Sequence, residues 1–281
     1  MSKPVVRRVI SVLAALAMLV ALIWVTRSVS AQTKERAKPT ATATQSMATM
    51  PLFSVQVVQL KPDMLTEWQE FQKSEAIPTL QKGGIKERAV YQPAPFGHAF
   101  EYWLVTPITN FAQYDDPAAS PIVKALGQDG ARAYGAKIRR LIASSRTYAV
   151  RQRADLSYTA NPDVMLPIGV ISWYSVAPGR RPDFENYLRN DLLPVLKQGQ
   201  TPGFGVFQAL FGGDGNEMVT ITSYNTYADI DKGPPMVRVL GPEGAAKLEA
   251  KLTGIVTHVE RTISRYVPDL SFKVKTTTEA R

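Results

Sequence analysis

A chain that repeats itself over most of its length can fold only into an arrangement that uses one unit twice, and this sequence does so. Displaced by 116 positions, Pro62, Pro78, Leu80, Gly83, Val90, Gln92, Gly97, Ala112 and Asp115 coincide with Pro178, Pro194, Leu196, Gly199, Val206, Gln208, Gly213, Ala228 and Asp231. Displaced by 114, the later part continues the match: Pro121, Leu126, Gly127, Gly130, Lys137, Arg151, Asp155 and Ser157 meet Pro235, Leu240, Gly241, Gly244, Lys251, Arg265, Asp269 and Ser271.

Each half reads as strand, helix, two strands, helix, strand. Phe53 to Leu60 and Gly169 to Val176 alternate in the period of two expected of strands. Helices follow, opened by Pro62 and Pro182, with apolar stripes Leu65, Trp68, Phe71, Ile77 and Phe184, Tyr187, Leu188, Leu192, Val195. Pro78 and Pro194 should kink them. Strands are expected at Ile85 to Gln92 and Ala99 to Thr106, matched by Phe204 to Leu210 and Glu217 to Tyr224. Second helices are expected near Ala131 to Ser145 and Ala245 to His258, and last strands at Thr147 to Arg151 and Arg261 to Arg265.

The order β-α-β-β-α-β describes a ferredoxin-like unit, with both helices on one face of an antiparallel sheet and the other face bare. Two such units in one chain can press their bare faces together. The expected class is α+β: two tandem ferredoxin-like repeats, 53–160 and 161–272, packed sheet to sheet. Residues 32–52 read as a flexible linker and 273–281 as a disordered tail.

Residues 1–31 read as a signal peptide or membrane anchor: Lys3, Arg7 and Arg8 precede an apolar run over residues 9–25, and Val29-Ser30-Ala31 offers a cleavage site. The expected location is the periplasm or the extracellular space, with membrane attachment only through this segment if it stays uncleaved. The formal charge of +9 falls to +5 without Lys3, Arg7, Arg8 and Arg27, leaving 29 basic against 24 acidic residues and no cationic cluster for nucleic acid. With no cysteine and two histidines 160 positions apart, the sequence offers no metal-ligand spacing, and no cofactor is expected.

In the second half Trp173-Tyr174, Pro178-Gly179, Phe184, Pro194, Gly199, Gly203, Gly213 and Tyr224 before Tyr227-Ala228 follow an order similar to NIPSNAP-type and antibiotic-biosynthesis-monooxygenase-type proteins. The chain thus resembles the dimeric α/β-barrel superfamily in fused form, over Phe53 to Phe272. The resemblance implies a closed barrel. It does not choose among oxygenases, haem-handling enzymes, isomerase-like enzymes and non-enzymatic members.

Chemistry is sought where the halves differ. His98, beside Phe96, Phe100 and Tyr102, is the one weak candidate for a general base. His258, expected at a helix end, has no motif around it that would make it an axial haem ligand. Arg151 and Arg265, each four residues before an aspartate, read as strand-end ion pairs. Gly212-Gly213-Asp214-Gly215 lies between strands and reads as a hairpin turn rather than a phosphate cradle. By alternation, Gln56, Tyr102, Ser172 and Tyr174 share a face and are expected inside the barrel, away from the helix-covered side assigned to Val55, Val57, Trp103 and Trp173. With Tyr91 and His98 they make up the expected ligand-binding set.

The expected function is binding of a small, largely apolar molecule, or service as an assembly module and homo-oligomer. The alternative is a cofactor-independent monooxygenase-like enzyme acting on a small aromatic or polyketide-like substrate. An open space between the sheets would favour binder or enzyme, and a filled one a scaffold.

Overall fold

The computed structural model describes residues 50–161 and 164–274. The expected signal or anchor, most of the linker and the tail beyond Val274 lie outside the described residues.

Eight strands close on themselves. The first half supplies β1 (Leu52–Leu60), β2 (Glu87–Pro93), β3 (Glu101–Ile108) and β4 (Ile142–Gln152), followed by the two-residue β5 (Tyr158–Thr159). The second supplies β6 (Ile168–Val176), β7 (Gly203–Phe211), β8 (Glu217–Tyr224) and β9 (Val256–Tyr266), followed by β10 (Phe272–Lys273). Around the barrel the order is β2-β3-β1-β4-β7-β8-β6-β9 and back to β2, every neighbour antiparallel. Two seams join the halves: β4 to β7, with Gln152 opposite Phe207, and β2 to β9, with Tyr91 opposite Tyr266. β10 extends the edge of β2 and β5 that of β7, covering backbone that the offset of the seams leaves unpaired.

Helices α1 (65–82) and α2 (Pro121–Leu141) cover the first half; α3 (181–198), the short α4 (Tyr227–Asp231) and α5 (Pro235–Ala250) belong to the second. The expected kinks in α1 and α3 are single π turns, Gln72–Ala76 and Leu188–Leu192, just ahead of Pro78 and Pro194. A proline ring clashes with the carbonyl four residues back and offers it no N–H, and widening the turn at that carbonyl relieves both problems.

The second helices begin about ten residues earlier than the apolar pattern implied, and the strands after them begin earlier too. Ser120 starts α2, its Oγ accepting from the Val123 N–H, with Pro121 at the first position. Both helices bend at a glycine, Gly127 (φ 71, ψ 176) and Gly241 (φ 71, ψ 172), which breaks the period that would have revealed the first turns. Nor does α5 reach His258, which lies on β9, one residue beyond the β-bulge there.

The core has three parts. Between sheet and helices, Val58, Leu60, Trp68, Phe71, Tyr102, Leu104 and Tyr134 pack in the first half, and Tyr174, Val176, Phe184, Tyr187, Leu188, Val206 and Met218 in the second. Inside the barrel, Trp103, Ile171 and Val219 pack with Val55, Val57, Tyr91, Trp173, Phe207 and Ile221. The expected face assignment is therefore reversed. Gln56, Ser172, Tyr102 and Tyr174 lie on the helix side, and the two tryptophans fill the barrel. Both faces of these strands carry large apolar residues, so alternation separates the two sets without saying which set the helices cover.

The aspartates after Arg151 and Arg265 also pair differently. Asp155 accepts from Arg153 and Arg189, and Asp269 faces Lys73 at 3.5 Å. The Arg151 Nε is buried without a hydrogen-bond partner.

Candidate functional site

The two ends of the barrel differ in character. At one end a cavity of about 340 Å³ opens where β7 begins and β4 and β8 end. Its floor is the inner face of β7, where Gly203 and Gly205 alternate with helix-facing Phe204. A Cβ at Gly205 would stand 3.0 Å from the Phe207 ring and one at Gly203 3.1 Å from Leu166, so the missing side chains leave the space open. Phe207 and Ile221 form the inner wall, Tyr91 and Leu166 one side, and the segment from Gln152 to Thr159 the other.

That last segment is firmly held. The Arg153 N–H donates to the Val206 carbonyl, and the Ser157 hydroxyl donates to the Arg153 carbonyl while accepting from the Val206 N–H. Behind it the Arg153 guanidinium, 5% exposed, binds both oxygens of Asp155 at 2.8 Å and one oxygen of Glu185 on α3. Burial opposes the charge on Asp155, but hydrogen bonds from Arg153 and Arg189 outweigh it and hold the carboxyl down at about 2.

Of the six residues expected to bind ligand, the cavity gathers one. Tyr91 stands at its side, its hydroxyl donating to the Met165 sulfur at 3.3 Å and its ring 5.6 Å from Tyr266. Burial, then the neighbouring Tyr266 and Glu87, push its phenol up to about 12. Tyr102 lies 4.4 Å from the Trp68 ring and accepts from the Gln69 amide at 3.0 Å, beneath α1. Tyr174 packs 5.0 Å from Phe184, and Ser172 is buried on the same face. Gln56 donates to Ser145 across the β1–β4 pair. His98 is exposed in the segment between β2 and β3 and does not line the cavity. Gly203, Gly205, Gln152, Tyr158 and Ser223 were missed. A signal was present: two glycines at a spacing of two in a strand leave two bare positions on one face.

The other end of the barrel is polar. The Trp103 indole donates to Glu101 at 2.7 Å, the Arg146 guanidinium stacks 4.9 Å over the Tyr148 ring, and Tyr148 lies 5.7 Å from Trp173. Burial raises the Tyr148 phenol; Arg146 opposes the rise, and Glu217, Glu101 and Glu260 reinforce it. Among the described residues no three His, Cys, Asp or Glu converge as metal ligands would. Both histidines are exposed, and neither lines the cavity at the opposite end.

Among solved structures, the chain superposes on an anthrone oxidase-like protein with a TM-score of 0.51 at 10% identity, covering 83% of this chain and 97% of that one. A mutant chlorite dismutase from Candidatus Nitrospira defluvii gives 0.50 at 10% identity, over 80% and 95%. The fold is a closed antiparallel β-barrel flanked by helices, similar to the barrels of these proteins. At this identity the likeness concerns architecture alone. No protein-family model matches the chain, and no curated protein does. Within this barrel the space between helices and sheet is occupied by Trp68, Tyr102, Phe184 and Tyr187, each at most 5% exposed, whereas the mouth formed by β4, β7 and β8 is open.

Proposed function

We propose that this chain is a binding protein whose ligand, a small and largely apolar ring compound, sits in the glycine-floored mouth of the barrel. The observation that carries the reading is the cavity itself: about 340 Å³, walled by Tyr91, Tyr158, Phe207 and Ile221, with Gln152, Ser157, Thr159 and Ser223 as its small polar side chains. Aromatic walls with a few polar groups suit a flat ring system. The duplicated sequence supports the further reading of a gene-fused pair of ferredoxin-like units of NIPSNAP type. Glu87 and Ala89 of the first unit occupy the positions of Gly203 and Gly205, and Tyr266 of the second unit that of Gln152, so the equivalent floor beside the β2–β9 seam carries side chains where this one carries none. Export to the periplasm or beyond belongs to this reading through residues 1–31. Among the described residues no helix is long and apolar enough to cross a membrane.

Titration with 1-naphthol, followed by quenching of the barrel tryptophans Trp103 and Trp173, tests the site. Gly205→Val keeps an allowed strand conformation but fills the floor, and it is expected to weaken binding at least tenfold with the melting transition retained. Unchanged affinity in that variant removes the mouth as the site.

The second reading, a cofactor-independent monooxygenase-like enzyme, draws support from the shared fold with the anthrone oxidase-like protein. It rests on His98 as base, because Tyr102 and Tyr174 are engaged beneath helices. Oxygen-dependent turnover of a phenolic substrate that is lost in His98→Ala would favour it; turnover that survives would reject His98.

A further inference from the structure

Two polar side chains at the mouth have no hydrogen-bond partner among the described residues. Tyr158 donates to the Thr201 carbonyl, Ser157 to the Arg153 carbonyl, Thr159 to the Asn161 carbonyl and Tyr91 to Met165. The half-buried carboxamide of Gln152, at the end of β4, and the hydroxyl of Ser223, at the end of β8, make no such bond, and the glycine floor of β7 lies between their strands.

Among the described residues, no Lys, Arg, His, Asp or Glu lines the cavity. On the strand of Tyr91, Glu87 is negative and faces Lys273 at 3.5 Å, and behind the wall the Lys197 ammonium stacks 5.5 Å over the Tyr158 ring without entering the lining. Arg153 behind the wall is neutralised by Asp155 and Glu185. An anion entering the mouth would lose its water and meet no cation among the described lining residues, a large penalty, whereas a neutral amide or carbonyl would lose water and regain hydrogen bonds.

Building on the binding reading, we infer that the mouth selects an uncharged ring compound bearing a carbonyl or amide group, with Gln152 as the residue that reads it. A carboxamide offers one acceptor and two donors in one plane, so it can pair with an amide or lactam edge in a two-bond array. Ser223 supplies the second polar anchor. An ionised carboxylate of the same shape is excluded.

The test is a calorimetric comparison of 2-naphthamide with 2-naphthoate at pH 7, two planar probes of near-equal size that differ in charge. The amide is expected to bind at least a hundredfold more tightly. Gln152→Leu should lower amide affinity about tenfold, and Gln152→Arg, which offers a guanidinium fork to a carboxylate, should reverse the preference. Equal binding of the two probes by the unaltered protein, or tighter binding of the acid, overturns the neutral filter while leaving the site intact. Amide selectivity that persists undiminished in folded Gln152→Leu overturns the role of Gln152. Failure of both probes to bind overturns the binding reading itself, and the comparison on the unaltered protein decides the charge question even if a variant fails to fold.

Discussion

Arg153 shows how one side chain can hold a functional surface without touching a ligand. Its buried guanidinium ties the segment that walls the mouth to α3 through Asp155 and Glu185. Removing it strands two partly buried carboxylates, so Arg153→Met should destabilise the fold by about 2–4 kcal/mol in urea denaturation. Asp155 adds a pH signature. Its folded pKa of about 2 lies below its ordinary 3.8. Its contribution is therefore fully present above about pH 4 and fades as pH falls toward 2. Asp155→Asn should flatten stability against pH in that window and leave the slope above pH 5 unchanged, as urea midpoints at about pH 2.5, 5.5 and 7 would record. The sequence showed Asp155 and Asp269, each four residues after an arginine, but not their partners. Arg189 lies 34 positions from Asp155 along the chain, and only the docking of α3 brings them together.

At the level of elements, the glycine bends in α2 and α5 determine how these helices start. At φ 71 with ψ near 175, Gly127 and Gly241 occupy backbone territory nearly closed to other residues, and no atom lies within 4 Å of a Cβ built on either. The penalty for a side chain there is conformational rather than steric. Gly127→Ala and Gly241→Ala should each cost about 1–3 kcal/mol, and the double variant about the sum, in thermal or urea unfolding. The cap that opens α2 is smaller in effect: Ser120→Ala should cost about 1 kcal/mol. Strands and first helices were legible from apolar periodicity. The second helices were cut short in that reading because a bend interrupts the 3.6-residue period just where they begin.

For the molecule as a whole, closure at two seams makes the inner apolar surface of each half depend on the other. Trp103 from one half and Ile171, Trp173 and Val219 from the other form one cluster. Separately produced fragments 50–160 and 161–274 should therefore be aggregated or self-associated. Mixed during refolding, they should yield a one-to-one complex on size-exclusion chromatography with the tryptophan emission of the intact protein. Monomeric, cooperatively folded fragments would show that the seams are dispensable.

The sequence by itself determined the succession of strands and helices, the proline and glycine positions at which they turn, and the alternation that divides each strand into two sets. These are local or pairwise properties of the chain, expressed in spacing. Tertiary structure alone decided which set faces inward, that Tyr102 and Tyr174 lie under helices while Tyr91 reaches a cavity, and that Gly203 and Gly205 open one mouth of the barrel. Inside and outside are fixed only when the sheet closes and the helices choose a side, because burial depends on what covers a residue.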